Sequence, residues 1–369
     1  MENQLKPFSN IGFIGLGLIG GSIAQNIREV YPQTTIIGFD VDKTALANAH
    51  TDGTVDIVAD AVGDLFSDCD VIFLCAPTHF NIEYLKQLHA CIKPTCILTD
   101  VGSVKADICE AVSGLHMGRY FIGGHPMVGS EQSGYQAARP HLLENAYYFI
   151  CPDAEVSRTN VDRFSVYIQS IGAIPIVYSP EEHDHITSYI SHIPHLIAAS
   201  LVNLVKDADT DGMYKELAAG GFKDITRIAS SSPTVWEHIL TSNSEQVAAG
   251  LQEYIRLLEQ MHEAVRTQNG QRIYDFFHDA MTYRNSVPNK SIGVIEQHHE
   301  CFIDIPDEPG SLYKVAKILA DHSINIKNAG IAYNREEGEG ALCLELYLKK
   351  DLSDAISVLR EAGYKVFEK

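Results

Sequence analysis

Short apolar runs alternate with stretches of helical spacing through the first half of the chain. Residues 11–15, 35–40, 71–76, 96–100, 120–123, 146–151 and 174–177 read as strands, with helical patterns between most of them. That alternation predicts a mostly parallel sheet covered on both faces. The pattern changes at Ser179-Pro180-Glu181-Glu182. Ser179 suits a helix cap, Pro180 the first helical position, and Glu182 completes a capping box. From there to about residue 285 apolar positions keep helical spacing, as in Leu251, Tyr254, Ile255 and Leu258, and Ser232-Pro233 marks another helix start before Trp236. This predicts an all-helical domain of about a hundred residues.

Residues 286–297 read as a linker, with Pro288, Asn289 and Gly293. Beyond it a strand (300–305) precedes a helix face of Leu312, Val315, Ala316 and Leu319, then a second strand (324–331). Leu342, Leu344, Leu346 and Leu348 alternate strictly, so a third strand buries one face. Leu352, Ala355, Ile356 and Leu359 mark a second helix, and 364–367 a last strand. The order βαββαβ is ferredoxin-like. The expected division is therefore α/β from 1 to 178, helical from 179 to 290, and ferredoxin-like from 298 to 369.

Length and composition agree with this division. The 369 residues exceed one ordinary core and suggest two or three domains. A formal net charge of −20 argues against nucleic acid, whose phosphates would be repelled. The eight cysteines are scattered without a Cys-x-x-Cys pair, and Cys75, Cys96, Cys151 and Cys343 lie in apolar runs that predict buried thiols. That usage suits a reducing, cytoplasmic setting. The amino terminus lacks a charged-then-apolar signal pattern, and no apolar run approaches the ~20 residues of a membrane helix.

Gly15-Leu16-Gly17-Leu18-Ile19-Gly20 is a GxGxxG loop directly after a strand and at a helix start. Gly15 allows the tight turn, Gly17 lets backbone approach a pyrophosphate, and Gly20 lets helix and strand pack closely. Leu18 and Ile19 open the helix whose N–H groups face the phosphates. Asp40 closes the next strand, where an acid binds ribose hydroxyls, and it favours NAD because its carboxylate would repel a 2′-phosphate. Lys43 is close enough to leave NADP open. Ala76 and Pro77 end the next strong strand, on the nicotinamide side of the crevice. Gly124-His125-Pro126-Met127 follows an apolar strand, so His125 is held at a strand's carboxyl end, where open α/β sheets bind ligands. The plainer reading is a turn histidine bonded to backbone. The histidines from His183 to His195 raise a metal site, but Pro194 disrupts the spacing and no cysteine or carboxylate cluster completes it, so no metal is expected.

At this point the chain resembles the prephenate dehydrogenase family of tyrosine biosynthesis. The motifs are GLGLIGGS at 15–22, DVGSVK at 100–105, GGHPMVGSEQSG at 123–134, SHIPH at 191–195 and GGFKDITRIASSSPTVW at 220–236. The carboxy-terminal unit resembles an ACT domain, an amino-acid-sensing module, through Asp307-Glu308-Pro309-Gly310 and its element order. The resemblance implies a Rossmann-type dinucleotide domain, a helical dimerisation domain, a homodimer, and NAD-dependent oxidative decarboxylation of prephenate to 4-hydroxyphenylpyruvate. It implies His125 as catalytic histidine and Ser103 as the serine that orients it, with a helix cap at Val104 as Ser103's simpler role. Arg227 would hold the ring carboxylate, against a surface ion pair with Asp224. His195 would lie near substrate and the other histidines would shape the domain contact, while Trp236 would line the pocket or anchor the helical core. Tyrosine is the implied effector, at Asp307, Gly310 and Asn325. Arogenate dehydrogenase, a β-hydroxyacid dehydrogenase and a non-catalytic amino-acid sensor are the rival readings.

Overall fold

A computed structural model describes residues 8–129, 132–287, 299–306, 308–334, 339–346 and 349–368. Two compact units divide the chain, Met1–Gly293 and Val294–Lys369. The first begins β1 (Asn10–Ile14), α1 (Leu18–Val30), β2 (Thr35–Phe39), α2 (Lys43–Thr51), β3 (Ile57–Val58), β4 (Val71–Leu74), α3 (Thr78–Leu88), β5 (Ile97–Asp100) and α4 (Ala106–Gly114). These strands form a parallel sheet in the order β3-β2-β1-β4-β5. Neighbouring residues of one strand feed opposite cores. Ile11, Phe13, Val71 and Phe73 pack on one side, and Ile14, Ile72 and Leu74 on the other. Burial on both faces is why these strands read as unbroken apolar runs. Each such side chain contributes about 1.5–3 kcal/mol by leaving water. Strand β3 escaped the sequence reading because its apolar run is only two residues, Ile57 and Val58, both 39% exposed, too short to mark a strand.

The chain continues through β6 (Ile122–Pro126), β7 (Tyr147–Pro152), α5 (Arg158–Ser170) and β8 (Ile174–Val177). Strand β6 starts later than expected: Gly118–Tyr120 is a 3-10 turn, and His125 lies within the strand rather than after it. Strands β6 and β7 pair antiparallel, β7 and β8 parallel, as a separate three-stranded sheet. A single parallel bridge, Leu98 to Phe121, links the two sheets.

Side chains close that seam. Lys105 is fully buried, and its Nζ donates to Asp100 Oδ2 and, at 2.9 Å, to the Gly124 carbonyl. Asp100 Oδ1 accepts the Gly124 N–H at 3.1 Å, and Oδ2 accepts the Gly102 N–H at 2.9 Å. A Cβ on Gly124 would lie 2.5 Å from the Asp100 carbonyl oxygen, so only glycine lets the strands approach this closely.

Helices follow: α6 (Pro180–Thr187), α7 (Ile193–Ala208), α8 (Met213–Leu217), α9 (Gly220–Thr226), α10 (Pro233–Ser242), α11 (Ser244–Arg266) and α12 (Gly270–Ser286). The capping box at Ser179 and Glu182 is present in both directions, at 3.2 and 2.8 Å. Helices α6 and α7 are joined by a π-helical turn, Ser188–His192, just before Pro194. Proline has no N–H for the carbonyl one turn back, and the widened turn absorbs that defect. The combined helix Pro180–Ala208 is long and apolar enough to cross a bilayer by length and composition, although no uninterrupted apolar run reaches that length. Its His183, Asp184 and His192 are instead buried in the protein. The stripe Leu251, Tyr254, Ile255 and Leu258 lies on α11, but Ile255 and Leu258 remain 39% and 50% exposed.

The second unit runs β9 (His299–Pro306), α13 (Ser311–Asp321), β10 (Ile326–Asn334), β11 (Glu339–Leu346), α14 (Lys349–Glu361) and β12 (Val366–Glu368). Its sheet has the order β10-β11-β9-β12, with every pair antiparallel. Leu342, Leu344 and Leu346 face the core with Val315, Leu319, Leu352, Ala355, Ile356 and Leu359. Leu312 does not: it is 53% exposed, and Ser311 is buried in that first turn. Leu348 lies outside the described residues.

The seam predicts a specific stability response. Lys105→Met leaves the Asp100 carboxylate buried without its cation and should destabilise the protein by about 3–5 kcal/mol. Adding Asp100→Leu should recover much of that loss. Urea unfolding of the single and double variants measures both; equal stability of Lys105→Met and the parent would remove the pair from this role.

Candidate active site

The glycine loop after β1 is shaped by what cannot fit. Gly15 has φ +100°, and a Cβ there would meet the Cys75 backbone at 2.7 Å. A Cβ on Gly20 would lie 2.3 Å from the Gly15 carbonyl. Gly17 differs, for a Cβ there would enter open space. Gly17 is also the N-cap of α1 and makes no side-chain cap bond, so the helix's first N–H groups point at that space. This cradle fits a pyrophosphate. Asp40, at the end of β2, accepts the Leu16 N–H through Oδ2 at 2.6 Å and the Asp42 N–H through Oδ1 at 2.7 Å. Its carboxylate is thus tied to the glycine loop, with lone pairs left for hydroxyl donors. Lys43 Nζ lies 3.4 Å from the Asp40 carbonyl oxygen.

A cavity of about 980 Å³ opens from this loop. Its walls include Gly17, Leu18, Ile19, Ala76, Pro77 and Ser103. Val235, His238 and Ile239 of α10 form the opposite wall, beside Ser242, whose hydroxyl donates to Asp107 of α4. Ser103 therefore sits with the cofactor residues. It does not cap a helix at Val104. Helix α4 starts at Ala106, and its amino end is capped from α6: Asp184 accepts the Lys105 and Ala106 N–H groups at 2.8 and 2.9 Å. Cys75 also lines the cavity and is half-buried, as is Cys343, whereas Cys96 and Cys151 are buried as expected.

His125 is not in that wall. Its Nδ1 lies 2.8 Å from His183 Nε2, and His183 Nδ1 lies 2.7 Å from Asp184 Oδ1. Phe149 packs against both rings, at centroid distances of 6.2 and 4.8 Å. The plainer reading of His125, a turn residue bonded to backbone, does not describe this side-chain partner. Burial drives the His125 pKa well below its ordinary value, with His183 and Lys105 acting in the same direction. Burial also lowers His183, against the opposing pull of Asp184. Both imidazoles are therefore neutral at pH 7.

Around α7 a second cluster forms. His195 stacks on Trp236 at 3.8 Å and bonds the Ser191 carbonyl through Nδ1 at 2.9 Å. His192 is buried, meets the Trp236 ring edge, and lies 3.2 Å from Asn243 Nδ2, which donates at 2.7 Å to the Asp184 carbonyl. Trp236 is half-buried against these two rings. Arg227 is exposed in the 3-10 turn Arg227–Ser230, which packs against α7. Gly310 (φ +94°) and the exposed Asn325 belong to the second unit; Asp307 lies outside the described residues.

Sequence reading passed over His183, Asp184, Lys105 and Asn243 as individuals. The contacts that join them across the fold, His183 with His125, Asn243 with the Asp184 carbonyl and Asp184 with the Lys105 N–H, span 58, 59 and 79 residues. The local signal was a His-Asp pair directly after the capping box.

Acid should expose the cost of the buried rings. Burial lowers His192 to about 4, with His125 and His183 lowered too. Below the ordinary histidine value near 6.5 the unfolded chain binds protons that the folded chain refuses, so stability falls as pH drops towards 4. Thermal unfolding should give a lower Tm at about pH 4.5 than at about pH 7. His192→Asn should make that loss shallower; an unchanged slope would exclude His192 as a contributor.

Comparison with known proteins places this geometry. Residues 23–177 match the family description "Prephenate dehydrogenase, nucleotide-binding domain", and residues 179–279 match "Prephenate dehydrogenase, dimerization domain". The chain is 35% identical to prephenate dehydrogenase of Bacillus subtilis, covering 99% of each chain. It is 34% identical to that of Lactococcus lactis subsp. cremoris, over 95% of this chain and 97% of the relative. Its fold is similar to that of A. aeolicus prephenate dehydrogenase solved with hydroxyphenyl propionate and NAD+ (TM-score 0.72, 26% identity, 78% of this chain and all of that one). With near-complete coverage by such relatives and both domain descriptions matched in order, the chain belongs to the prephenate dehydrogenase family.

Proposed function

We propose that the protein catalyses NAD-dependent oxidative decarboxylation of prephenate to 4-hydroxyphenylpyruvate. The observation that most supports this is His125, neutral at a strand end beside the seam that leads to Ser103 and the dinucleotide cavity. NAD, when bound, would supply the acceptor for the hydride on the ring carbon that bears the hydroxyl. His125 accepts the hydroxyl proton, which requires a neutral imidazole. Ser103, on the cavity wall, orients the hydroxyl towards it. Arg227 holds the ring carboxylate through its planar fork until carbon dioxide leaves and the electron pair completes the aromatic ring. His125 then returns its proton to the ring oxygen, so no net proton is released. His195 and Trp236 form a flat face against which the ring rests. Gly15, Gly17, Leu18, Ile19, Gly20, Asp40, Ala76 and Pro77 hold the cofactor.

Assays at the NADH absorbance band, with prephenate and with arogenate, test the reading; a rate only with arogenate would shift the activity to that substrate. His125→Asn should keep cofactor affinity and lose about 10²–10⁴ in turnover. Near-normal turnover in the folded variant would remove the base. Arg227→Ala should raise the substrate Michaelis constant roughly 10- to 150-fold, for a charge-assisted bond worth about 1.5–3 kcal/mol. A normal constant would take away that role.

The divisions 1–178, 179–290 and 298–369 are proposed to carry the cofactor, the substrate and dimer contacts, and regulation. A homodimer is favoured by the exposed Ile190, Leu204, Leu257, Tyr274, Phe277 and Tyr283 of the helical region, and a cytoplasmic setting by the scattered cysteines without a Cys-x-x-Cys pair. The carboxy-terminal unit is proposed as an ACT domain that binds tyrosine. Its 2-3-1-4 strand order supports this, as does Gly310, which leaves the first N–H groups of α13 without a side-chain cap. Asp307 and Asn325 would complete the effector site. Deleting residues 298–369 should leave activity and abolish inhibition by tyrosine; an equally sensitive truncated enzyme would place inhibition at the active site.

A further inference from the structure

The hydrogen-bond directions around His125 can be derived from its end partner. A carboxylate only accepts, so the 2.7 Å contact with Asp184 Oδ1 requires His183 to carry its proton on Nδ1. A neutral imidazole has one N–H, so His183 Nε2 is an acceptor. The 2.8 Å contact then requires His125 to donate through Nδ1, which leaves His125 Nε2 as the bare, basic nitrogen. Asp184 is itself immobilised, because it caps α4 through two backbone N–H groups at a helix end that favours negative charge.

We propose that His183 and Asp184 are positioning residues for the reaction. They hold His125 in the one tautomer that can accept a proton at Nε2, and they stabilise the positive charge it carries while it holds the hydroxyl proton. This rests on the base role proposed above for His125. In the step, the hydroxyl proton moves to His125 Nε2, and the His125 Nδ1–H bond to His183 strengthens. The His183 Nδ1–H bond to Asp184 strengthens in turn. After carbon dioxide departs, the Nε2 proton returns to the ring oxygen and both bonds relax. The proton borrowed by His125 goes back to the product, none is passed to solvent, and no reactant beyond prephenate and NAD is needed. Without this chain the imidazolium would form among buried groups that oppose it. The charged and titratable neighbours of His125 are His183, Lys105 and His192; those of His183 are Asp184, Lys105 and Asp100. Lys105 is committed to Asp100, so Asp184 is the carboxylate left for the imidazoles.

Two variants separate this role from simple packing. His183→Gln keeps an amide oxygen to accept the His125 Nδ1–H but passes on none of the Asp184 charge. His183→Leu removes the acceptor as well. NAD affinity and prephenate KM should change less than about threefold in both, while kcat falls about 10²-fold in His183→Leu and less in His183→Gln, within the range of general-base effects. The acidic limb of the kcat–pH profile should move to lower pH in both, furthest in His183→Leu: only a charged His183 repels a proton on His125, whereas the neutral ring accepts the His125 Nδ1–H, a bond that strengthens when His125 is protonated. A normal kcat, or a lower kcat with the limb unmoved, overturns the proposal. Should either variant fail to fold, the parent protein decides alone. Nitrogen-15 spectra of its histidine rings, without substrate, should show His125 and His183 both protonated on Nδ1. An Nε2–H tautomer at either ring refutes the chain, whatever the substrate proves to be. Loss of the base role would instead appear as normal turnover in His125→Asn with these tautomers intact.

Discussion

The buried Lys105–Asp100 pair is the contact on which the rest of the site depends. Two sheets meet at β5 and β6 with only one backbone bridge between them. What aligns them is an ammonium that grips Asp100 on one strand and the Gly124 carbonyl on the other. His125 is the next residue along β6. Ser103 lies two residues before Lys105 in the loop that lines the dinucleotide cavity. A single side chain thus sets the spacing between His125, the proposed base, and the wall of the cofactor crevice. Such a pair is not a cheap source of stability, since both charges give up water. Its value here is geometric.

The helical region enters through the same loop. Asp184 reaches from α6 to cap α4 and turns its other contact to His183. The cap links a cofactor-side helix with the helix that carries the histidines. Downstream, the π-helical turn before Pro194 puts His192 beside Asn243, and Asn243 bonds the Asp184 carbonyl. The polar groups of this region satisfy one another without opening it to water. That dryness is what keeps the imidazoles neutral.

Much of this was legible in the sequence, and the remainder was hidden for identifiable reasons. Strands buried on two faces announce themselves as apolar runs, so β1, β2, β4 and β5 were placed from pattern alone. The GxGxxG loop is legible because Gly15 and Gly20 answer local steric demands and Gly17 keeps the helix start open. Strand β3 was too short to show a pattern, and β6 was misplaced because Gly123 and Gly124 interrupt its apolar run where close strand approach requires them. The Ser103 cap failed for another reason: local capping chemistry was present, but a distant carboxylate had taken the helix end. Leu312 fits a helical stripe yet faces water, since spacing cannot say where the packed face ends. His183 and Asp184 were visible as residues, but their role is a matter of partners brought together only by the fold.

A competition among buried charges explains why these roles could not be exchanged. The seam holds two carboxylates, Asp100 and Asp184, near one ammonium. If Lys105 Nζ were bonded to Asp184, that carboxylate would lose much of its power to order His183, and Asp100 would be left buried without a cation. The chain avoids this by using two parts of the same residue. The Lys105 side chain goes to Asp100, while its backbone N–H goes to Asp184. A backbone N–H is a partial charge, enough to fix a carboxylate without neutralising it. Asp184 therefore stays fixed, and it shares its side-chain contact with His183 rather than with an ammonium. The directionality of the His183 and His125 rings follows from that division.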